Sequence, residues 1–416
     1  MDHKNIISFE GKLQYQILLV FLIAFHSYFG IYKGINNVKS DFPNYYVSAH
    51  LLQTGDLAVA YNDSLFQIEA QKKDSKIHAR FSLYPPTNAL LLFPLNTFSI
   101  YAAKNIWLAV SVACTFLSIL FFSRISLLNI SSSAVIVLLS GFNLCNDFYL
   151  GQIYSFLLML TLCGLYYMTR KPFLSAIFIS LVASLKLITL GFLLLLVRKK
   201  YIPSAILFAI ILTGITFLSA YMGGFQVFAN YVSQRLIPLS FGNIFNELPF
   251  SVQYQSVISL LSNCFVYNAE YNPNPVFPEY NNLFLPCKYL FYGIMVCVLG
   301  LNLRWFISKK IDGSAFISLS ILILLLLESG SATYHLLFLL PVLSKVLADV
   351  NFIASQKIIL IVLLAAIGFA PTMINSVFDL SYLPFILKYP RLLLMITYFC
   401  FVQYLYFQRN KKSIII

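Results

Sequence analysis

Asp41 is the first acidic side chain after the apolar run QYQILLVFLIAFHSYFGIY (14–32), and Phe42, Tyr45 and Tyr46 surround it. A carboxylate there can serve as a general base, or it can cap a helix beginning near Pro43. Lys186 stands in SLKLIT, inside the apolar run 172–198. An ammonium at that depth is costly unless it meets water, a partner or a ligand. LESGSATYHLL (327–337) adds Glu328, Tyr334 and His335, and the first long polar segment adds Arg80. A cation beside a histidine suits a phosphate. The amides of Gln152 and Gln255 and the rings of Tyr45, Tyr46, Tyr84 and Tyr334 suit a sugar, which has hydroxyls on its edge and C–H bonds on its faces. Plainer readings stand beside these. Lys186 could snorkel or pair with Glu328. His335 could be a packing residue, Arg80 could lie among headgroups, and the tyrosines could only shape the site.

These residues sit in a chain of 416, of which 59% are hydrophobic and 10% charged. A soluble domain carries about 25% charged residues. The reading is therefore an all-α polytopic membrane protein, one transmembrane domain over 1–416. The first apolar run lacks a small-x-small cleavage site and reads as a retained helix. The net charge of +13 is spread over the ends of apolar runs, as the positive-inside rule gives, so nucleic acid is not an expected partner. The seven cysteines show no metal-ligand spacing. Cys264 and Cys287 flank a polar loop and could form a disulfide. No Walker or GxGxxG pattern occurs, and no metal or other cofactor is expected.

The apolar runs are 14–33, 99–122, 131–145, 150–169, 172–198, 201–222, 285–306, 314–328, 334–348, 354–375 and 388–407. Basic clusters mark their inner ends. A single crossing by 172–198 would put Arg170–Lys171 and Arg198–Lys200 on opposite sides. Two short helices, 172–185 and 187–198, meeting at Lys186 remove that conflict. The count becomes about twelve, with both termini cytoplasmic. The polar segments 34–98 and 223–284 then share the outer face with Lys186 and the turns at 145–152 and 328–335. Within 34–98, residues 43–54 read as an interfacial helix stopped by Gly55, and 65–73 as a second short helix.

An acid, a lysine, a histidine, amides and tyrosines at one membrane face together suggest transfer of a sugar from a lipid phosphate. A transporter or flippase of lipid-linked sugars, or an outer-face glycan ligase or polymerase, is the alternative.

Four blocks resemble glycosyltransferase family 87, polytopic enzymes of the GT-C fold class that include polyprenyl-phosphate-mannose-dependent mannosyltransferases of phosphatidylinositol mannoside synthesis. They are DFPNYYVSAHLLQTGDLAVAY (41–61), YPPTNALLLFPLNTFSIYAAKNIW (84–107), LGQIYSFLLMLTL (150–162) with SLVASLKLITLGFLLLLVRKK (180–200), and GSATYHLLFLLP (330–341). Tyr154 stands where the family usually has Asn, Leu187 where Pro is usual, and Ala332 where Pro is common. The resemblance implies an inverting transferase on the extracytoplasmic side of the cell membrane. Asp41 would be the base, and Lys186, His335 and Arg80 would sit near the donor phosphate. The implied partners are a polyprenyl-phosphate sugar, a glycolipid or glycan acceptor and membrane lipids. The chain is expected to act as a monomer.

Overall fold

The computed structural model describes residues 13–39, 41–81, 84–237, 250–252, 254–328, 330, 332–370 and 385–412. Among them the chain is helical, with no strand and an isolated bridge between Asn268 and Asn272. Five helices are long and apolar enough to cross a membrane: Leu13–Tyr32, Ile100–Ser126, Lys199–Gly223, Pro278–Ile307 and Pro390–Lys411. A sixth crossing is possible if the pair Ile130–Leu138 and Phe142–Leu150, bent by 75°, counts as one span. The other apolar helices have 10–17 residues. At about 1.5 Å per residue they fall short of a hydrocarbon core about 30 Å thick. By length alone, five or six crossings stand where about twelve were expected.

The elements that position the site are α1 (Leu13–His26, continuing as a π-helix to Tyr32), α2 (Phe42–Thr54), α3 (Asp63–Lys73) and α4 (Ile100–Ser126). They are followed by α5 (Ile130–Leu138), α6 (Phe142–Leu150), α7 (Tyr154–Tyr167) and α8 (Pro172–Leu185). Next come α9 (Ile202–Gly223), α10 (Phe225–Tyr231), α11 (Val257–Phe265) and α12 (Phe284–Ile307). The last are α13 (Gly313–Leu327), α14 (Leu339–Ala348), α15 (Ala354–Phe369) and α16 (Pro390–Lys412). Helices α4, α7, α8 and α9 pack side by side in that order, and α14 lies against α4 and α13. Residues 238–249 of the second loop and 371–375 of the expected helix 354–375 lie outside the described residues.

Three local features differ from or refine the sequence expectations. The run 131–145 is not one helix: it turns at Gly141 (φ +55), whose backbone packs directly on that of Gly368. A Cβ on Gly141 would meet the Gly368 carbonyl oxygen at 2.7 Å. The run 172–198 does break at Lys186, which is extended (φ −147, ψ 125) between α8 and a 3₁₀ segment, Leu187–Val197. Helix α2 stops at Gly55, but it does not lie half-exposed as an interfacial helix would, since ten of its thirteen residues are buried. It is wedged into the bundle by Tyr46, whose hydroxyl donates to the Phe98 carbonyl at 2.7 Å, and by Asn44, whose Oδ1 accepts from the Arg80 N–H at 2.7 Å.

Candidate active site

Asp41 occupies the N-cap position of α2, yet its backbone is helical and its side chain makes no capping bond. The carboxylate instead faces Gln152, with Lys186 and Lys104 close enough to act on it electrostatically. Gln152 is fully buried. Its Oε1 accepts from the Tyr45 hydroxyl at 2.7 Å, and Asp41 and Tyr84 both lie within its hydrogen-bonding reach. Burial pushes the Asp41 carboxyl above its ordinary value of 3.8, while Gln152, Lys186 and Lys104 pull the other way. Protein atoms crowd Asp41, Lys186 and Glu328, yet each keeps accessible surface.

Lys186 is presented by a junction built from two distant pieces of chain. Helix α8 ends at Leu185, and the turn Tyr84–Asn88 closes over that end. The Thr87 hydroxyl donates to the Ser184 carbonyl, and Asn88 Nδ2 donates to the Leu185 carbonyl at 3.0 Å. These carbonyls have no helical donor beyond the break, so the loop satisfies groups the apolar surroundings would leave orphaned. Each such bond contributes about 1 kcal/mol net. The Lys186 ammonium then lies between two rings, 5.4 Å from Tyr84 and 5.6 Å from Tyr154. No carboxylate lies within 4.0 Å of it among the described residues. Glu328 and Asp41 attract it from farther off.

The third wall is the segment Thr333–Phe338, a 3₁₀ turn leading into α14. His335 stacks on Tyr154 with centroids 4.6 Å apart, and its Nδ1 lies 2.7 Å from Glu328 Oε2. A carboxylate on Nδ1 fixes the ring and leaves Nε2 for a ligand. Tyr334 packs against both Tyr154 and His335. Asn146 on α6 ties this wall down by donating to Thr333 Oγ1 at 2.9 Å. The start of α7 is capped by buried Asp147, which accepts from the N–H groups of Tyr154 at 2.8 Å and Ser155 at 3.1 Å. Those are otherwise orphan donors at the positive end of a helix.

Gathered here are Asp41, Tyr45, Tyr84, Gln152, Lys186, Glu328, Tyr334 and His335. Three residues expected at the site are engaged elsewhere. The Arg80 guanidinium pairs with Asp63 on α3, Nε to Oδ2 at 2.9 Å. Tyr46 serves to wedge α2. Gln255 joins the second loop to the start of α16, donating to the Lys388 carbonyl at 3.0 Å. Cys264 and Cys287 are free thiols. No group of three or more His, Cys, Asp or Glu side chains converges as metal ligands would among the described residues.

The residue that sequence reading missed is Lys104. It is fully buried in α4 and donates to the carbonyls of Phe148 at 2.9 Å and Tyr149 at 3.3 Å, at the C-terminal end of α6. The signal was present: a lysine early in an apolar helix invites the same question as Lys186. Gly151 makes room for it. This glycine sits at φ +70, and a Cβ there would come 2.6 Å from Lys104 Nζ and 2.8 Å from Phe42 Cβ. Gly151→Ala should therefore push the residue next to Asp41 out of place. The expected result is a loss of about 1–3 kcal/mol in stability, as overpacking typically costs, together with reduced activity at a temperature where the variant is still folded. Denaturant unfolding and an activity measurement on the same preparation check it.

The family model of glycosyltransferase family 87 matches residues 82–330, more than half of the chain. The matched stretch holds Tyr84, Lys104, Gln152, Lys186 and Glu328; Asp41 and His335 fall outside it. No curated protein and no solved structure matches the chain.

Proposed function

The chain belongs to glycosyltransferase family 87, and from that premise we propose that it is an inverting sugar transferase using a polyprenyl-phosphate donor. The sugar is a hexose, with mannose foremost, and the acceptor is a hydroxyl of a glycolipid or glycan. The reaction takes place on the extracytoplasmic face of the cell membrane, in a GT-C bundle of about twelve membrane helices in which broken pairs share a span.

One observation carries the reading: Asp41 stands where a helix cap would stand, and its side chain does not cap. A carboxylate kept out of its local role and turned toward Gln152 and Lys186 is held for something else. In the proposed step, Asp41 takes the proton from the acceptor hydroxyl. The oxygen attacks the anomeric carbon from the face opposite the phosphate. The bond from that carbon to the phosphate oxygen breaks, and its electron pair leaves with the polyprenyl phosphate. Lys186 stabilises the charge growing on that phosphate, and His335, its Nδ1–H held by Glu328, accepts through Nε2 from a hydroxyl of the substrate. Tyr84 and Tyr154 form aromatic walls for the sugar and exclude water around the leaving group. Burial suits Asp41 to the work, because a raised pKa makes the carboxylate a stronger base.

The test is a transfer assay with the purified full chain in liposomes and radiolabelled polyprenyl-phosphate mannose, using a membrane-glycan extract as the acceptor source. Released polyprenyl phosphate together with a labelled product is the expected outcome. Label that crosses the bilayer without product would identify a flippase and sink the proposal.

A further inference from the structure

A polar cavity of about 380 Å³ opens at the end of the bundle opposite the Asp41 cluster. The same helices frame both places. Helix α13 begins at the cavity beside Asp312 and ends in the cluster at Glu328, while α14 follows His335 and ends at the cavity with Ala348. Along α13 the two ends are about 22 Å apart.

Six cations line the cavity, Arg198, Lys200, Lys309, Lys310, Lys345 and Arg409, against two carboxylates, Asp312 and Asp349. Both carboxylates are already engaged. Lys345 Nζ lies 3.4 Å from Asp312 Oδ2, and Arg409 Nη1 lies 3.1 Å from Asp349 Oδ2. The remaining four cations have no carboxylate within 4.0 Å among the described residues. Three of these four are held in place by neighbouring groups. The Arg198 guanidinium rests over the rings of Phe306 at 4.8 Å and Tyr201 at 5.7 Å. Lys200 lies over Tyr201 at 5.6 Å, and Lys310 donates to the Asn410 carbonyl at 3.1 Å.

The positive-inside bias accounts for basic residues at helix ends, but it requires neither a concave pocket nor an aromatic shelf under a guanidinium. Like charges held together repel unless an anion sits among them. A stacked guanidinium keeps its N–H fork free, and that fork matches phosphate oxygens. The cavity volume is at the small end of the range for small-molecule sites.

We propose that this cavity is a second binding site, specific for a phosphate-bearing anion. The occupant is the headgroup of an anionic phospholipid or a small soluble phosphate compound. This inference does not depend on the sugar-transfer reading.

The test is thermal unfolding of the full chain in zwitterionic nanodiscs, with and without inorganic pyrophosphate at matched ionic strength, and in nanodiscs containing anionic phospholipid. A higher Tm with pyrophosphate identifies a soluble occupant; a higher Tm with anionic lipid alone identifies the lipid. The double variant Lys200→Gln/Lys309→Gln removes two exposed cations, and should weaken binding at least about tenfold. Arg198→Lys keeps the charge, loses the fork and should fall between. Identical Tm values in all three conditions overturn the proposal, as does a stabilisation that the double variant retains in full.

Discussion

Replacing Asp41 with Asn should lower sugar transfer by about 10²–10⁴-fold, the usual worth of a general base, while the protein still inserts, purifies and melts normally. The unusual part is the second half of that expectation. An N-cap aspartate normally holds the first turn of its helix, and losing it costs about 1 kcal/mol. Asp41 makes no such bond, so α2 has nothing to lose. The pH profile supplies an independent check. Burial raises the Asp41 pKa, and the base acts only when ionised. Activity should therefore fall with decreasing pH through a midpoint above 3.8, the ordinary aspartate value. That limb should vanish from the residual activity of Asp41→Asn. Near-normal turnover in the variant, or an unchanged acid limb, would remove Asp41 from the mechanism.

Lys186→Gln should cost about 10²–10³-fold in kcat, the scale seen when one preorganised donor to a developing anion is lost. The KM for the lipid donor should change much less, because the charge on the phosphate grows only as the bond breaks. Lys186→Arg should recover part of the loss. Removing one member of a buried ion pair strands the other and destabilises the fold. Lys186 has no carboxylate within 4.0 Å among the described residues, so its replacement strands none of them. A lowered Tm with kcat intact would mark it as a structural lysine. Steady-state kinetics on the donor, read beside a melting curve, separates the two.

How much of this was legible in the sequence follows the range of the forces involved. The break at Lys186 could be read because the charge clusters at 170–171 and 198–200 constrain topology, and because a lysine in an apolar run needs a reason. The stop of α2 at Gly55 is a local signal of the same kind. The 75° turn at Gly141 was not legible, since its cause is Gly368, more than two hundred residues away. Arg80 was expected near a phosphate from its charge, but Asp63 on α3 claims it through a fold that local pattern does not encode. Gln255 looked like a sugar ligand and proved to be a tie between segments, because an amide's chemistry does not reveal which carbonyl it will meet. Lys104 had its signal and was passed over inside a block read only for resemblance.

The grip of the Tyr84–Asn88 turn on the end of α8 has a consequence for how the protein is made. Thr87 and Asn88 leave the ribosome 97 residues before the carbonyls they bind, and Thr333 emerges 187 residues after Asn146. During synthesis the loop carrying the acid is already made while the lysine is still to be added. The last of the gathered residues, His335, is added long after the acid and the lysine, so the site closes only late in synthesis. An intermediate stalled before α8 would hold Asp41 with neither Lys186 nor His335 beside it, and so would be inert. Sugar chemistry begins only once the bundle has closed.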